Sequence, residues 1–209
     1  MALFVFVHGG GDSGATFDLV GEALRARGHE AAAPDLPTED PAAGLEDYAA
    51  VVVAAAGERD DVIVVGHSLG GFTAALSAGR MTPRALVLLS AMIPAPGESA
   101  GEWWDNAGYG AVEEAEDPYW HDVPPELAER ALSRGQEAGA MAEPWPLRVW
   151  PDVPTHFVLL RDDRLFPPAF MRPLVRDRLG LEPDEMGGGH MVMLSRPAEL
   201  AERLAAYAG

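Results

Sequence analysis

The chain contains no cysteine and no lysine; all 15 of its basic residues are arginine, against 33 aspartates and glutamates. Without cysteine there can be no disulfide framework, no thiolate nucleophile and no cysteine-based zinc site. The lack also fits a reducing compartment, so the cytoplasm is the expected setting. The scarcity of positive charge leaves a formal net charge of −18, which repels phosphate backbones and anionic lipid surfaces and disfavours nucleic-acid and membrane partners. Long apolar runs are missing too. None approaches the roughly 20 residues that a membrane helix needs, and the opening run Ala2 to Val7 lacks the basic flank of a signal peptide. There is no internal repeat or low-complexity tract. The 209 residues suit one domain over 1–209, long enough to bury about 70% of its unfolded surface.

What is present is an alternation of two periodicities. Leu3 to Val7, His29 to Ala33, Val62 to Val65, Ala85 to Leu89 and His156 to Leu160 read as strands, nearly continuously apolar as parallel strands covered on both faces are. Between them, Thr16 to Arg27, Leu45 to Ala56, Leu69 to Gly79, Ala169 to Leu179 and Pro197 to Ala208 space their apolar residues as helices do. The pattern predicts an α/β fold with a doubly wound, mostly parallel sheet. From Met92 to Asp152 the rhythm breaks into a stretch rich in Pro, Glu and Trp, with one helical piece over Pro125 to Glu137. Its many aromatic side chains need somewhere to bury, so it reads as an insertion lying over the sheet.

The strand Val62–Val65 runs directly into Gly66-His67-Ser68-Leu69-Gly70-Gly71 and then into a helical pattern. This is G-x-S-x-G between strand and helix, the context in which a tight turn lifts a serine hydroxyl above the sheet at a helix N-terminus. Ser68 is therefore the candidate nucleophile. The first strand ends in His8-Gly9-Gly10-Gly11, similar to the H-G-G-G loops that hold oxyanions in lipases and esterases. The backbone N–H groups of Gly10 and Leu69 are the expected donors. A rival reading exists, because Gly9, Gly11 and Gly14 also satisfy G-x-G-x-x-G with Asp35 downstream, as in a dinucleotide loop. It leaves the serine turn and the late Gly-Gly-His without a task.

Among six histidines, His190 alone follows a glycine run, Gly187 to Gly189, late in the chain, where the order serine, acid, histidine places a general base. His8 and His67 read as loop-ordering and packing residues. Two adjacent carboxylates, Asp162 and Asp163, follow the strand His156–Leu160 in the right place for the acid, and the residues alone leave that choice open.

The stretches FVFVHGGGDSGATF, VIVVGHSLGGFTAAL, LLRDDRLFPPAF and GGGHMVMLSRPAEL together resemble the α/β-hydrolase superfamily over most of the chain, and within it the branch of plant methyl-ester esterases and hydroxynitrile lyases. The resemblance implies an α/β-hydrolase fold with a short helical cap, 92–152, inserted after the strand 85–89. It favours Asp163 as the acid, because the family's acid lies a few residues ahead of a proline, as Asp163 does before Pro167. It further implies a serine esterase cleaving a small, largely uncharged carboxylic ester through an acyl-enzyme, with no cofactor and no metal. Met92, Trp103, Trp104 and Met191 are expected to line the pocket. In the lyases of this branch a lysine follows the catalytic histidine; here that residue is Met191, which favours the esterase. A slow-turnover ligand receptor of the same fold, and lyase or amidase chemistry on the same triad, are the competing readings.

Overall fold

The computed structural model describes residues 1–111, 115–132, 135 and 139–209. One six-stranded sheet forms the centre, in the order β2-β1-β3-β4-β5-β6, with every neighbouring pair parallel. The strands are β1 (Leu3–Val7), β2 (Glu30–Ala32), β3 (Val62–His67), β4 (Ala85–Leu89), β5 (Thr155–Leu160) and β6 (Asp184–Met186). Five of them fall within two residues of the expected bounds. β6 was not expected: Asp184-Glu185-Met186 is a short, half-polar edge strand, without the apolar run that marks a buried one.

The α-helices among the described residues are α1 (Asp18–Arg25), α2 (Leu45–Ala56), α3 (Gly70–Ala78), α4 (Ala100–Asn106), α5 (Pro125–Leu132), α6 (Pro168–Leu179), α7 (Val192–Ser195) and α8 (Pro197–Ala205). The expected helix Thr16–Arg27 divides into a 3₁₀ turn at Gly14–Phe17 and then α1. The helix expected over Pro125–Glu137 is seen as Pro125–Leu132, and its last residues lie partly outside the described ones.

Because side chains alternate across a strand, the sheet divides its residues between two cores. Leu3, Val5, Val7, Val62, Val64, Leu86, Leu88, Phe157 and Leu159 pack with residues of α2, α3 and α6 on one face. Phe4, Phe6, Ile63, Val65, Val87, Leu89, Val158 and Leu160 pack with α1, α7 and α8 on the other. Each fully buried Val, Leu, Ile or Phe stabilises by about 1.5–3 kcal/mol relative to exposure, which explains why these runs carry no polar break. The order 2-1-3-4-5-6 reverses direction between β1 and β3. That reversal opens a crevice at the carboxyl ends of β1 and β3, where ligands bind in open parallel sheets. The loops after those two strands carry the H-G-G-G run and Ser68.

Candidate active site

Ser68 follows β3 with φ +52°, a left-handed conformation unusual for a residue with a side chain. Such a conformation costs of order 1–3 kcal/mol and persists only where its surroundings fix it. Here the Ser68 carbonyl accepts hydrogen bonds from the Gly71 amide at 3.1 Å and the Met92 amide at 2.9 Å. The motif glycines answer crowding from both sides. A Cβ on Gly66 would lie 2.5 Å from Ala74 Cβ in α3, and one on Gly70 would lie 2.5 Å from the Val7 carbonyl oxygen of β1. With no side chain at either place, strand, turn and helix close up, and Ser68 stands at the mouth of α3.

His190 and Asp163 are both buried, and His190 Nδ1 lies 2.8 Å from Asp163 Oδ2. That contact puts the ring proton on Nδ1 and leaves Nε2 as the basic nitrogen. Nε2 is buried and has no hydrogen-bond partner among the described residues. Asp163 is held on all sides: Oδ2 also accepts from the Ser90 hydroxyl at 2.5 Å, and Oδ1 accepts from the amides of Leu165 and Phe166 at 2.9 and 2.8 Å. Burial alone would raise its pKa. The field of His190, with bonds from His190, Ser90 and the Phe166 amide, instead holds it below the ordinary carboxylate range. Asp162 is exposed and turns elsewhere, Oδ2 accepting from the Gly188 amide at 2.8 Å.

A cavity of about 40 Å³ brings together Gly9, Gly10, Gly11, Asp12, His67, Ser68, Tyr119, Trp120, Ala131, His190 and Met191. A second, of about 20 Å³, is bordered by Gly10, Leu69, Tyr48, Phe72 and their neighbours. Gly10 borders both. Of the four expected pocket residues, Met191 borders the first cavity and the others do not line it. Met92 and Trp103 sit in the core, with Trp103 Nε1 donating to the Ile93 carbonyl at 3.1 Å. Trp104 packs edge-on against Trp103 and Tyr109.

His8 orders its loop as expected: Nε2 accepts from the Leu36 amide at 3.0 Å, and Nδ1 donates to the Gly9 carbonyl at 2.9 Å. His67 does more than pack. Its Nε2 donates to the His190 carbonyl at 3.0 Å, and burial pushes its pKa well down, so it is a neutral brace for the loop that carries His190. Gly14, the last glycine of the dinucleotide-like spacing, abuts the Ala33 carbonyl and donates its amide to Asp35 at 2.8 Å. Chain packing thus gives that spacing a reason.

Sequence reasoning missed three contributors. Ser90 holds Asp163, Asp12 borders the cavity, and Asp122 accepts from the Gly189 amide at 2.8 Å and the Ser195 hydroxyl at 3.0 Å. Ser90 has a trace in the sequence, a lone polar residue directly after a fully apolar strand. Asp122 has none, since it acts 67 residues along the chain. Among the described residues there is no group of three or more His, Asp or Glu placed to hold a metal ion, and no helix is long and apolar enough to cross a membrane.

Comparison with known proteins agrees with this architecture. The model of the family described as alpha/beta hydrolase family matches residues 4–203. A probable esterase of rice (Oryza sativa), PIR7A, is 41% identical over 112 residues, which cover 47% of this chain and 42% of the relative. A carbendazim hydrolyzing esterase of a Nocardioides species is 38% identical over 112 residues, 47% of this chain and 46% of the relative. The matches thus span less than half the length of these curated relatives. In fold, the chain superposes on polyneuridine aldehyde esterase with a TM-score of 0.85 at 20% identity, over all of both chains. It superposes on a pyrethroid hydrolase of Sphingobium faniae with a TM-score of 0.79 at 22% identity, over 99% of this chain and 97% of that one.

Proposed function

The chain belongs to the α/β-hydrolase family, and from that premise we propose that it is a serine esterase that cleaves a small, largely uncharged carboxylic ester through an acyl-enzyme, with Ser68 as nucleophile, His190 as base and Asp163 as acid. One observation carries the reading: a buried imidazole tied through Nδ1 to a carboxylate at 2.8 Å, its Nε2 without a partner among the described residues, in a residue that lines the same cavity as the serine of a strained strand-to-helix turn. Esterase names among the relatives support the choice of bond.

Ser68 Oγ attacks the ester carbonyl carbon as its proton passes to His190 Nε2. The C=O electron pair moves onto oxygen, and that oxyanion is met by the amides of Gly10 and Leu69. Asp163 keeps the imidazole in the required tautomer and stabilises the imidazolium. The intermediate collapses, the leaving alkoxide takes the proton from Nε2 and departs as alcohol, and Ser68 is left acylated. Water repeats the sequence: its proton goes to His190, its oxygen to the acyl carbon, and the acid leaves as Ser68 is re-protonated. A cytoplasmic setting rests on the lack of cysteine.

The test is a panel of short-chain ester, thioester, lactone, amide and cyanohydrin substrates. Fastest turnover is expected on esters, with a burst of alcohol release. Preferred cleavage of the amide or cyanohydrin would assign the same triad to a different bond.

A further inference from the structure

Asp12 lies in the loop after β1, two residues beyond Gly10, and only 6% of its surface is exposed. One of its oxygens is fully used, Oδ1 accepting from the Ser13 amide at 2.9 Å and from the Thr16 hydroxyl. The other, Oδ2, is buried and has no hydrogen-bond partner among the described residues. Burial raises the carboxyl's pKa, and the bonds from Thr16 and Ser13 and the fields of His8 and His190 offset that rise only in part. Leaving a buried polar atom unpaired is costly, and loop order does not demand it, because an asparagine would keep the bonds to Oδ1. The residue borders the cavity that holds Ser68 and His190. Three unpartnered buried atoms, Asp12 Oδ2, His67 Nδ1 and His190 Nε2, therefore belong to residues lining one small cavity; ester hydrolysis employs the last, His67 is already tied through Nε2 to the His190 carbonyl, and Asp12 Oδ2 is the one carboxyl oxygen among them.

We infer that Asp12 is a specificity-determining residue whose Oδ2 binds a hydroxyl group on the substrate close to the reacting ester, so that the preferred substrates are small hydroxylated esters. The inference rests on the esterase reading of Ser68. A hydroxyl both donates and accepts, so it pairs with Oδ2 whether the carboxyl is ionised or protonated; an ether only accepts and an ammonium only donates. A methyl of similar size leaves Oδ2 unpaired. Sites built to bond a hydroxyl reject its apolar counterpart for that reason.

Two pairs of esters isolate the effect, one on each side of the carbonyl: 2-hydroxyethyl against propyl butyrate, and ethyl hydroxyacetate against ethyl propionate. Because kcat/KM is compared as a hydroxyl-to-methyl ratio within each protein, intrinsic reactivity and any change at Ser68 cancel. For one pair at least, the wild-type ratio is expected to exceed that of Asp12→Ala by about tenfold, the scale of one hydrogen bond to a charged group. Should Asp12→Ala not fold, Asp12→Asn decides, since it keeps the Oδ1 bonds and weakens only the second contact; its ratio is expected about threefold below wild type. Ratios unchanged from wild type in both pairs overturn the role of Asp12 and leave the esterase standing. Absence of turnover on all four esters overturns the esterase reading, and this inference with it.

Discussion

The carboxyl ends of the strands and the segment 92–152 are assembled by different means. At the strand ends, position follows from backbone packing: glycines where β1, β3 and α3 converge, a left-handed serine between them, and residues fixed by the apolar strands on which they end. The 92–152 segment is fastened by long-range polar bonds as well as by Met92, Trp103 and Trp145 buried in the core. Trp145 Nε1 donates to the Phe72 carbonyl at 3.1 Å, Tyr109 Oη to the Leu165 carbonyl at 2.8 Å, and Arg178 pairs with the buried Glu98 at 2.5 Å. Backbone-packed regions write their shape into local sequence. Regions fastened by distant side chains do not.

If that division holds, damage at the strand ends removes activity and spares the fold, while damage in the inserted segment does the reverse. The largest effect belongs to Ser68→Ala: ester turnover should fall roughly 10⁴- to 10⁶-fold with unchanged circular dichroism and melting temperature. Next is the acid. Asp163→Asn should lower kcat by about 10³- to 10⁴-fold, whereas Asp162→Asn, which disturbs only a bond to Gly188, should cost less than about tenfold. Kinetics in the reverse order would move the acid to Asp162.

On the other side of the comparison, Glu98→Ala leaves Arg178 largely buried without its partner. That should cost about 3 kcal/mol of stability and roughly 6–12 °C in Tm, with kcat of the folded protein close to wild type. Its pH dependence has a definite sign. Burial would raise the Glu98 pKa, but bonds from Arg178, the Ala95 amide and Asn106 hold it below the ordinary range. A carboxyl depressed by folding stabilises above its unfolded pKa and loses that contribution as pH falls through the folded value. The Tm gap between wild type and Glu98→Ala should therefore close as pH drops below about 4.

A smaller effect sharpens the boundary between the two regions. Asp122 reaches from the inserted segment to the amide beside the base, so Asp122→Ala should lower kcat roughly tenfold through misplacement of His190, with KM little changed. A change in KM alone would place Asp122 in substrate contact instead of positioning.

The legibility of the site follows the same division. Ser68, His190 and the pair Asp162–Asp163 stand out as candidates because each sits in a short motif directly after an apolar strand or glycine run. Between the two aspartates, the tightening contacts come from Ser90 and the amides of Leu165 and Phe166. The serine acts from 73 residues away. β6 escaped notice because an edge strand of Asp, Glu and Met buries too little to need an apolar run. Trp103 and Met92 invited a pocket role by composition, yet an indole N–H bonded to a core carbonyl is a structural fastener. Nothing in local spacing distinguishes the two uses.

The central claim is that Ser68 is a nucleophile activated by His190. Treatment with a fluorophosphonate probe, followed by peptide mass spectrometry, tests it most directly, because only an activated hydroxyl forms the stable phosphonyl adduct. The account predicts one adduct, on Ser68, formed rapidly in the wild type and greatly slowed in a folded His190→Ala variant. An unlabelled Ser68, or equal labelling with and without the imidazole, would contradict it.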